Sequence, residues 1–529
     1  MKKIILLSLL LITSFFNLFP QWSNDPNNNL IIGFGWDPHI VSDSAGGCYI
    51  TYNYESFYPQ KLAVERLDMY GYKPWGDKKQ ILGVLPEQWQ AEIIEDGEGG
   101  VIVSYQDNQV VGTDFTSRVR VQRVDSNGNF LWGQTGVRVT VEEKNHGGQH
   151  LVSDGAGGCV ILWQDYDGLY YLNQINELGQ RIWGDSGIFI GTSSFTNMNL
   201  VRAADGNYYA ETGEYIYRIR QNGEITLWES TLEWGLIIAA PDGGGILHSS
   251  IWNPSYYKLI AQRKDTLGNN LWQEPYVEIA DSVYINTQLK IQYNNGYYYY
   301  GWSGTRNGII RVAQFQALRL DGSKLFPDGS ISISNNSPLS IAGIVPSDSN
   351  KTIFVWNNHP NLPDTTFAHI YDTLGNKLWK ECGVVVAHPA MAYQYYTTDG
   401  NGGFIIGGTI NEFTIVAQQV SKYGKLGEIV TLISQENNEI VPSAIKLYQN
   451  YPNPFNSSTH IKFEIPEEVN VKINLYNILG EKINTIIDEY KTAGSYSISI
   501  TLDEIPSGIY FYTLETGLQV LVKKLTLLK

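Results

Sequence analysis

Three observations predict an all-β chain, a β-propeller followed by a small β-sandwich. The first is an internal repeat. A Gly-rich turn recurs as SDSAGGC at Ser42–Cys48, EDGEGGV at Glu95–Val101, SDGAGGC at Ser153–Cys159, PDGGGI at Pro241–Ile246 and TDGNGGF at Thr398–Phe404. A second turn leads into an aromatic residue, as DSNGNFLWG at Asp125–Gly133, NELGQRIWG at Asn176–Gly184, DTLGNNLW at Asp265–Trp272 and DTLGNKLW at Asp372–Trp379. A repeat of this length makes each copy one supersecondary unit that buries its apolar face on its neighbours. The second observation is composition: 52 Gly, 35 Tyr and 14 Trp in 529 residues, with only 17% charged, which suits short strands joined by tight turns. The third is alternation with period two, as in Val119, Val121 and Arg123 against Arg118, Arg120 and Gln122.

Taken in order, the chain opens on Lys2 and Lys3 before the apolar run Ile4–Ile12, which continues through Phe15, Phe16 and Phe19. The run is short for a membrane span and predicts a signal peptide over residues 1–20. No Cys follows it, so a lipid anchor is not expected. Residues 21–433 hold the repeat. Its aromatic phase falls at Trp75, Trp132, Trp183, Trp228, Trp272, Phe326 and Trp379, a spacing of about 50 residues. The turn phase centres on Gly46, Gly99, Gly157, Gly206, Gly244, Asn295, Asn350 and Gly402, with degenerate turns in the fourth, sixth and seventh copies. In the first copy the strands are expected at His39–Ser42, Cys48–Tyr54, Lys61–Leu67 and Trp75–Leu82. Four antiparallel strands repeated radially describe a propeller blade.

The last copy lacks a Trp-led fourth strand, and Gln21-Trp22-Ser23-Asn24 followed by Leu30-Ile31-Ile32 has that form. An N-terminal strand completing the last blade would remove open sheet edges. Eight blades follow from this count; seven with a stray unit, or an open array, is the alternative. A polar linker spans 434–445, and a second domain spans 446–529. There Ile461, Phe463 and Ile465 alternate, as do Val469, Val471, Ile473 and Leu475, at the spacing of a small sandwich.

Net charge is −16 and no long basic run exists, which argues against nucleic-acid binding. Cys48, Cys159 and Cys382 make no disulfide framework; the first two follow Gly-Gly in two copies and read as small buried hydrophobes.

The second domain carries ordered motifs: Tyr448-Gln449-Asn450-Tyr451-Pro452-Asn453-Pro454-Phe455-Asn456, Leu475-Tyr476-Asn477-Ile478-Leu479-Gly480, Gly494-Ser495-Tyr496, Ile505-Pro506-Ser507-Gly508-Ile509-Tyr510, and Lys523-Lys524 with a terminal Lys529. This stretch resembles the type A C-terminal sorting domain of type IX secretion system cargo. The resemblance implies an Ig-like sandwich that the outer-membrane translocon reads, with Tyr451, Pro452, Asn453, Pro454, Phe455, Asn456, Gly480, Gly494, Gly508, Tyr510, Lys524 and Lys529 as its motif residues. It also implies passage through the periplasm to the medium or the outer cell surface. The repeat region resembles, more loosely, the propeller-like portions of such cargo.

Chemistry is sparse. His146-Gly147-Gly148-Gln149-His150 has metal-pair spacing, but its glycines predict a solvated loop leading into a strand at Leu151–Ser153. Asp43, Asp96, Asp154, Asp242 and Asp399 recur at the Gly-rich turns. They read as Asx-type turns, with calcium ligation as the alternative. No cofactor or catalytic constellation is expected: no nucleophile elbow, phosphate loop or dinucleotide fingerprint is present. The Leu-Trp positions read as core. The tyrosines at Tyr170-Tyr171, Tyr256-Tyr257, Tyr297–Tyr300 and Tyr395-Tyr396 are candidates for carbohydrate stacking, about half of each run serving as packing. The expectation is a non-enzymatic glycan- or protein-binding module. A polysaccharide hydrolase or lyase with carboxylates on several blades is one alternative, and a purely structural surface component another.

Overall fold

The computed structural model describes residues 22–528 apart from 55–59, 77–79, 84, 112–113, 193–197, 214, 230–235, 254–255, 273–275, 284–288, 307–309, 328, 334–338, 349, 359–363, 381, 429–444, 451–452, 454, 457, 467–468, 492–493, 503–504 and 518. The expected signal peptide and linker, with Tyr451, Pro452, Pro454 and Lys529, lie outside the described residues. The chain forms two compact units, Met1–Ile429 and Val430–Lys529. Among the described residues there are strands and turns but no helix, and so none long and apolar enough to cross a membrane.

In the first unit each sequence repeat maps onto antiparallel strands. Four sheets have four strands, one has seven and one has eight. The eight-stranded sheet is two repeats joined by the single pair Val283↔Gly304. The seven-stranded sheet joins the last repeat to the first through one long strand, Leu30–Ser42. Its first half pairs with the last repeat (Leu30↔Ala417, Phe34↔Thr414) and its second half with the first repeat (Gly35↔Tyr54, Ser42↔Cys48). Gly35 sits at the handover, where a Cβ would come within 2.0 Å of the Asn53 carbonyl oxygen.

The second strand of each repeat is buried on both faces: all but the last residue of Cys48–Tyr54 is buried, and Tyr208–Thr212 is buried throughout. Neighbouring sheets cover both sides. Eight apolar clusters result, each shared by successive repeats. One of them joins Cys48, Ile50 and Tyr52 of the first repeat to Ile405, Ile415 and Ala417 of the last. Cys48 and Cys159 are fully buried and unpaired.

The aromatic after the second turn has a single job. Its ring lies on the turn glycine of the following repeat. A Cβ added at Gly128 would meet Trp75 at 3.0 Å, at Gly179 Trp132 at 2.9 Å, at Gly223 Trp183 at 3.2 Å and at Gly268 Trp228 at 3.5 Å. The series continues with Gly322 and Trp272 at 2.8 Å, Gly375 and Phe326 at 3.2 Å, and Gly424 and Trp379 at 2.8 Å. Trp22 does the same to Gly71 of the first repeat, at 3.1 Å. Most of these indoles also donate to the carbonyl two residues before that glycine, as Trp22 to Met69 (2.9 Å) and Trp75 to Ser126 (3.0 Å). The preceding aliphatic residue is not core: Leu131, Ile182, Leu227, Leu271 and Leu378 are all exposed. This corrects the reading of both Leu-Trp positions as buried. Adjacent residues of an extended segment point to opposite sides, and only the aromatic side meets a neighbour. The expected fourth strand at Trp75–Leu82 is likewise shorter, Gln80–Ile81, because Trp75 sits in the turn that carries it across.

The Gly-rich turns are carboxylate clamps. In repeats one, two, three and eight the turn has the full Asp-x-x-Gly-Gly form. One Asp96 oxygen accepts the amides of Glu98 (2.8 Å) and Gly100 (2.7 Å), and the other accepts Arg123 Nε (2.8 Å) from the third strand. Asp43 with Arg66, Asp154 with Gln174 and Asp399 with Gln419 repeat the arrangement. The last glycine of each turn presses on the third strand, so that a Cβ at Gly100 would lie 2.6 Å from the Val124 carbonyl oxygen. Repeats four and five have shorter turns, in which Asp205 and Asp242 meet Arg218 and Arg263. In repeats six and seven Asn295 and Asn350 take the left-handed conformation instead, and the third-strand position is Leu318 or Ile370. The clamp Asp and its third-strand donor are lost together.

The second unit contains two sheets around one core. Lys446–Leu447, Ser458–Ile465 and Gly494–Thr501 form one, and Lys482–Lys491, Val469–Tyr476, Gly508–Glu515 and Val520–Leu527 the other. Ile461, Phe463, Ile465, Val471, Ile473 and Leu475 point inward from alternate positions, as the pattern predicts.

Candidate functional site

Beside the long strand Leu30–Ser42 lies a cleft of about 490 Å³. Trp36 supplies one part of its lining, Tyr393 of the last repeat's first strand another, and the hairpin Asn411–Phe413 a third. Tyr393 is 64% exposed and Phe413 40%, large apolar surfaces left open to solvent. The hairpin is tied down by the Gly35 amide, which donates to the Phe413 carbonyl at 2.8 Å. Four non-glycine residues in or next to this cleft hold left-handed backbone: Asp37 (φ 54°), Tyr393 (48°), Asn411 (49°) and Glu412 (69°). Such conformations each cost on the order of 1 kcal/mol and cluster where a surface is shaped for contact.

Adjoining the cleft, the first strands of repeats eight, one, two and three (Ala392–Thr398, Leu30–Ser42, Glu87–Glu95 and His146–Ser153) bring four polar side chains into a row: Tyr395, His39, Glu92 and His150. The Tyr395 and His39 rings stand 4.1 Å apart, and His39 Nε2 lies 3.6 Å from Asp37. His150 Nδ1 meets Glu92 Oε1 at 2.7 Å, while the other Glu92 oxygen accepts the Leu151 amide at 3.0 Å. Burial, then the negative charges of Asp37 and Glu92, push the Tyr395 phenol up to about 12. Each strand is bulged two residues or so before the row, at Trp36/His39, Trp89/Glu92, opposite Trp163/Gln164 and at Ala392/Tyr395. A bulge re-aims the following side chain. In the second repeat the bulge residue Gln90 is gripped by Gln106 and Gln149.

His150 is thus not in a loop. Residues His146–Ser153 form a continuous strand, because the neighbouring second strand supplies partners that override the two glycines. His146 is buried against Trp163, and that burial lowers its pKa to about 4. Among the described residues no three His, Cys, Asp or Glu side chains are grouped to hold a metal ion. The Tyr297–Tyr300 run is mostly core: Tyr298, Tyr299 and Tyr300 are at most 1% exposed, since a second strand is covered on both faces. Of the aromatic candidates, Tyr395 reaches the row. Trp36, Tyr393, Phe413, Asp37 and Glu92 were missed from sequence. A signal existed: His39, Glu92, His150 and Tyr395 each stand four residues before a clamp aspartate.

In the second unit the described motif residues converge on the last strand. The Thr526 amide donates to Asn453 Oδ1 (2.8 Å), the Phe455 amide donates to Thr526 (3.1 Å), and Phe455 is buried in the core. The Lys524 carbonyl accepts Asn453 Nδ2 at 3.4 Å while its side chain is exposed, and Asn456 is exposed as well. Gly508 opens the strand leading to Tyr510, whose hydroxyl donates to Pro506 at 2.7 Å. Gly494 starts a strand of the other sheet, and Gly480 occupies a left-handed turn remote from these contacts.

Residues 449–527 match the family model of the secretion system C-terminal sorting domain. The chain is therefore a secreted or cell-surface protein whose tail resembles that of type IX cargo. No curated protein matches the chain. Among solved structures, PorZ, a surface component of the type IX secretion system of Porphyromonas gingivalis, aligns over 96% of this chain and 100% of its own at 9% identity, with a TM-score of 0.27. Virginiamycin B lyase from Staphylococcus aureus covers 63% of this chain and 99% of its own at 9% identity and a TM-score of 0.33. NanB sialidase from Streptococcus pneumoniae covers 76% and 70% at 11% identity and 0.30. At those TM-scores the likenesses bear on neither ligand nor activity.

Proposed function

We propose that residues 21–433 form a closed eight-bladed propeller that binds glycan on the cell surface or in the medium without catalysing a reaction, and that residues 446–529 deliver it through the type IX translocon. Eight apolar clusters and eight aromatic-on-glycine contacts, each linking a repeat to the next and the last to the first, support eight blades and closure. The observation that carries glycan binding is the cleft, where the exposed rings of Tyr393 and Phe413 and the half-buried ring of Trp36 stand beside the exposed Asn411 amide. Flat apolar surface with a few polar groups is what a sugar ring needs. Binding of the full chain to a glycan array, lost in Tyr393→Ala, tests this reading; an unchanged array profile refutes it. For the tail, deletion of 446–529 should trap the remainder in the periplasm, and normal export of that truncation would end the assignment. The Glu92–His150 contact favours one second reading, acid–base cleavage of a polysaccharide. Turnover of a labelled polysaccharide that Glu92→Gln abolishes would replace the binding reading.

A further inference from the structure

The first strands that carry the polar row hold Asp37, Glu87, Glu92 and Glu95 and not one lysine or arginine. The cleft beside it is lined by Glu412 and by no basic residue. The basic groups on those strands are the imidazoles of His39 and His150, each facing a carboxylate, and the buried imidazole of His146. Elsewhere on the first strands, Arg202 stands in repeat four and Lys290 in repeat six. So the cleft combines the exposed rings of Tyr393 and Phe413 with the Glu412 carboxylate of its lining and with Asp37 next in sequence to Trp36, in a chain whose net charge is −16. An acidic polysaccharide would be repelled there. A neutral one would draw no ionic contact from Glu412, the carboxylate of the lining.

From this charge pattern we infer that the ligand is a cationic saccharide, an oligomer of amino sugar with free ammonium groups. The inference rests on the glycan reading of the cleft and adds the charge of the ligand to it. The ring faces lie on Trp36, Tyr393 and Phe413, while the ammonium groups meet Glu412 and Asp37, and the electron-rich aromatic faces favour the same charge. Asp37 is positioned for this by its left-handed backbone (φ 54°), a conformation that Asp and Asn tolerate better than other side chains. Substitution by Asn therefore changes the charge and leaves the backbone in place.

Calorimetric titration of the full chain with three hexamers decides the matter: β-1,4-linked glucosamine, its N-acetylated form, and β-1,4-linked glucose. In 50 mM salt the glucosamine hexamer should bind at least tenfold tighter than either neutral hexamer, a difference of about 1.4 kcal/mol. The advantage should shrink severalfold in 0.5 M salt, where screening acts within about 4 Å. Glu412→Gln, on an exposed hairpin, and Asp37→Asn should together erase the advantage, so that charged and neutral hexamers bind alike. Tyr393→Ala should weaken all three. Equal affinity for charged and neutral hexamers, still lost in Tyr393→Ala, would overturn the cationic ligand while sparing the glycan reading. Binding of none of them, or indifference to Tyr393→Ala, would overturn both.

Discussion

Repeats eight, one, two and three differ from repeats four to seven in one respect that reaches from turn to site. The former keep the full Asp-x-x-Gly-Gly turn, with a clamp carboxylate held by two amides and a third-strand side chain. The latter shorten it or replace the aspartate. The polar row Tyr395, His39, Glu92 and His150 occurs only where the full turn does, four residues upstream of each clamp. Each row residue lies within the strand that runs up to the clamp, and the clamp holds the end of that strand by hydrogen bonds rather than by bulk packing. The lesson is that the best-kept repeats are kept for placement as much as for stability.

The largest expected effect separates the two halves directly. Asp96→Ala removes the buried partner of the Arg123 guanidinium, leaves it only the exposed Glu98 carboxylate, frees the two turn amides and should cost about 3 kcal/mol in urea unfolding. Asp205→Ala, in a shorter and more open turn, should cost about 1 kcal/mol. Equal losses would erase the distinction between the turns.

The next effect belongs to the other half. Glu211 of repeat four is buried, its best contact being the Ile237 amide at 3.3 Å, and burial raises its pKa from 4.5 to about 8. A carboxyl raised on folding favours the native state when neutral. That stability is fully present below pH 4.5 and is lost as pH climbs through about 8. Glu211→Gln should flatten this loss, gaining on the order of 3 kcal/mol at pH 9 over the parent. Parallel unfolding curves of the two proteins from pH 5 to 9 would show the assignment to be wrong.

A smaller effect should be common to both halves. Gly128→Ala and Gly375→Ala each push a Cβ into the covering ring at a left-handed φ (86° and 79°) and should cost about 2 kcal/mol. Gly97→Ala, left-handed but facing open space, should cost about 1 kcal/mol. Melting temperatures that rank Gly97→Ala lowest would contradict the aromatic-on-glycine account. The smallest stability effect carries the functional contrast. Tyr393→Ala and Tyr215→Ala, at 64% and 40% exposure, should each stay within about 0.5 kcal/mol of the parent. Only the first should lose glycan.

Much of this was legible beforehand. The strands Cys48–Tyr54 and Lys61–Leu67 have the bounds expected from alternation and turn chemistry. Trp22 and Leu30–Ile32 were recognisable as the missing end of the last repeat because they copy Ile182-Trp183 and Ile188-Phe189. The Asx reading of the turn aspartates holds, since each carboxylate is met by the amides two or four residues on. The same device closes the tail's turn, where Asn477 accepts the Leu479 and Glu481 amides. The strand at His146 was hidden by its glycines, which read as loop until a paired neighbour supplies the hydrogen bonds. The exposed leucine beside each buried tryptophan was hidden for a different reason: hydrophobicity names both, and only the position of the next repeat chooses between them.

What the chain alone determines is whatever closes over a few residues. A carboxylate reaching amides two and four positions ahead, a glycine at positive φ and an alternating strand all complete themselves locally, so the repeat and its turns are written in plain order. The tertiary structure decides which residues meet across repeats. Tyr395 and His39 stand ring to ring although most of the first unit separates them in sequence, because a single strand is shared between the first and last sheets. Contacts of that kind depend on how many sheets pack side by side and at what bulge each first strand turns, and no window of the sequence contains that information.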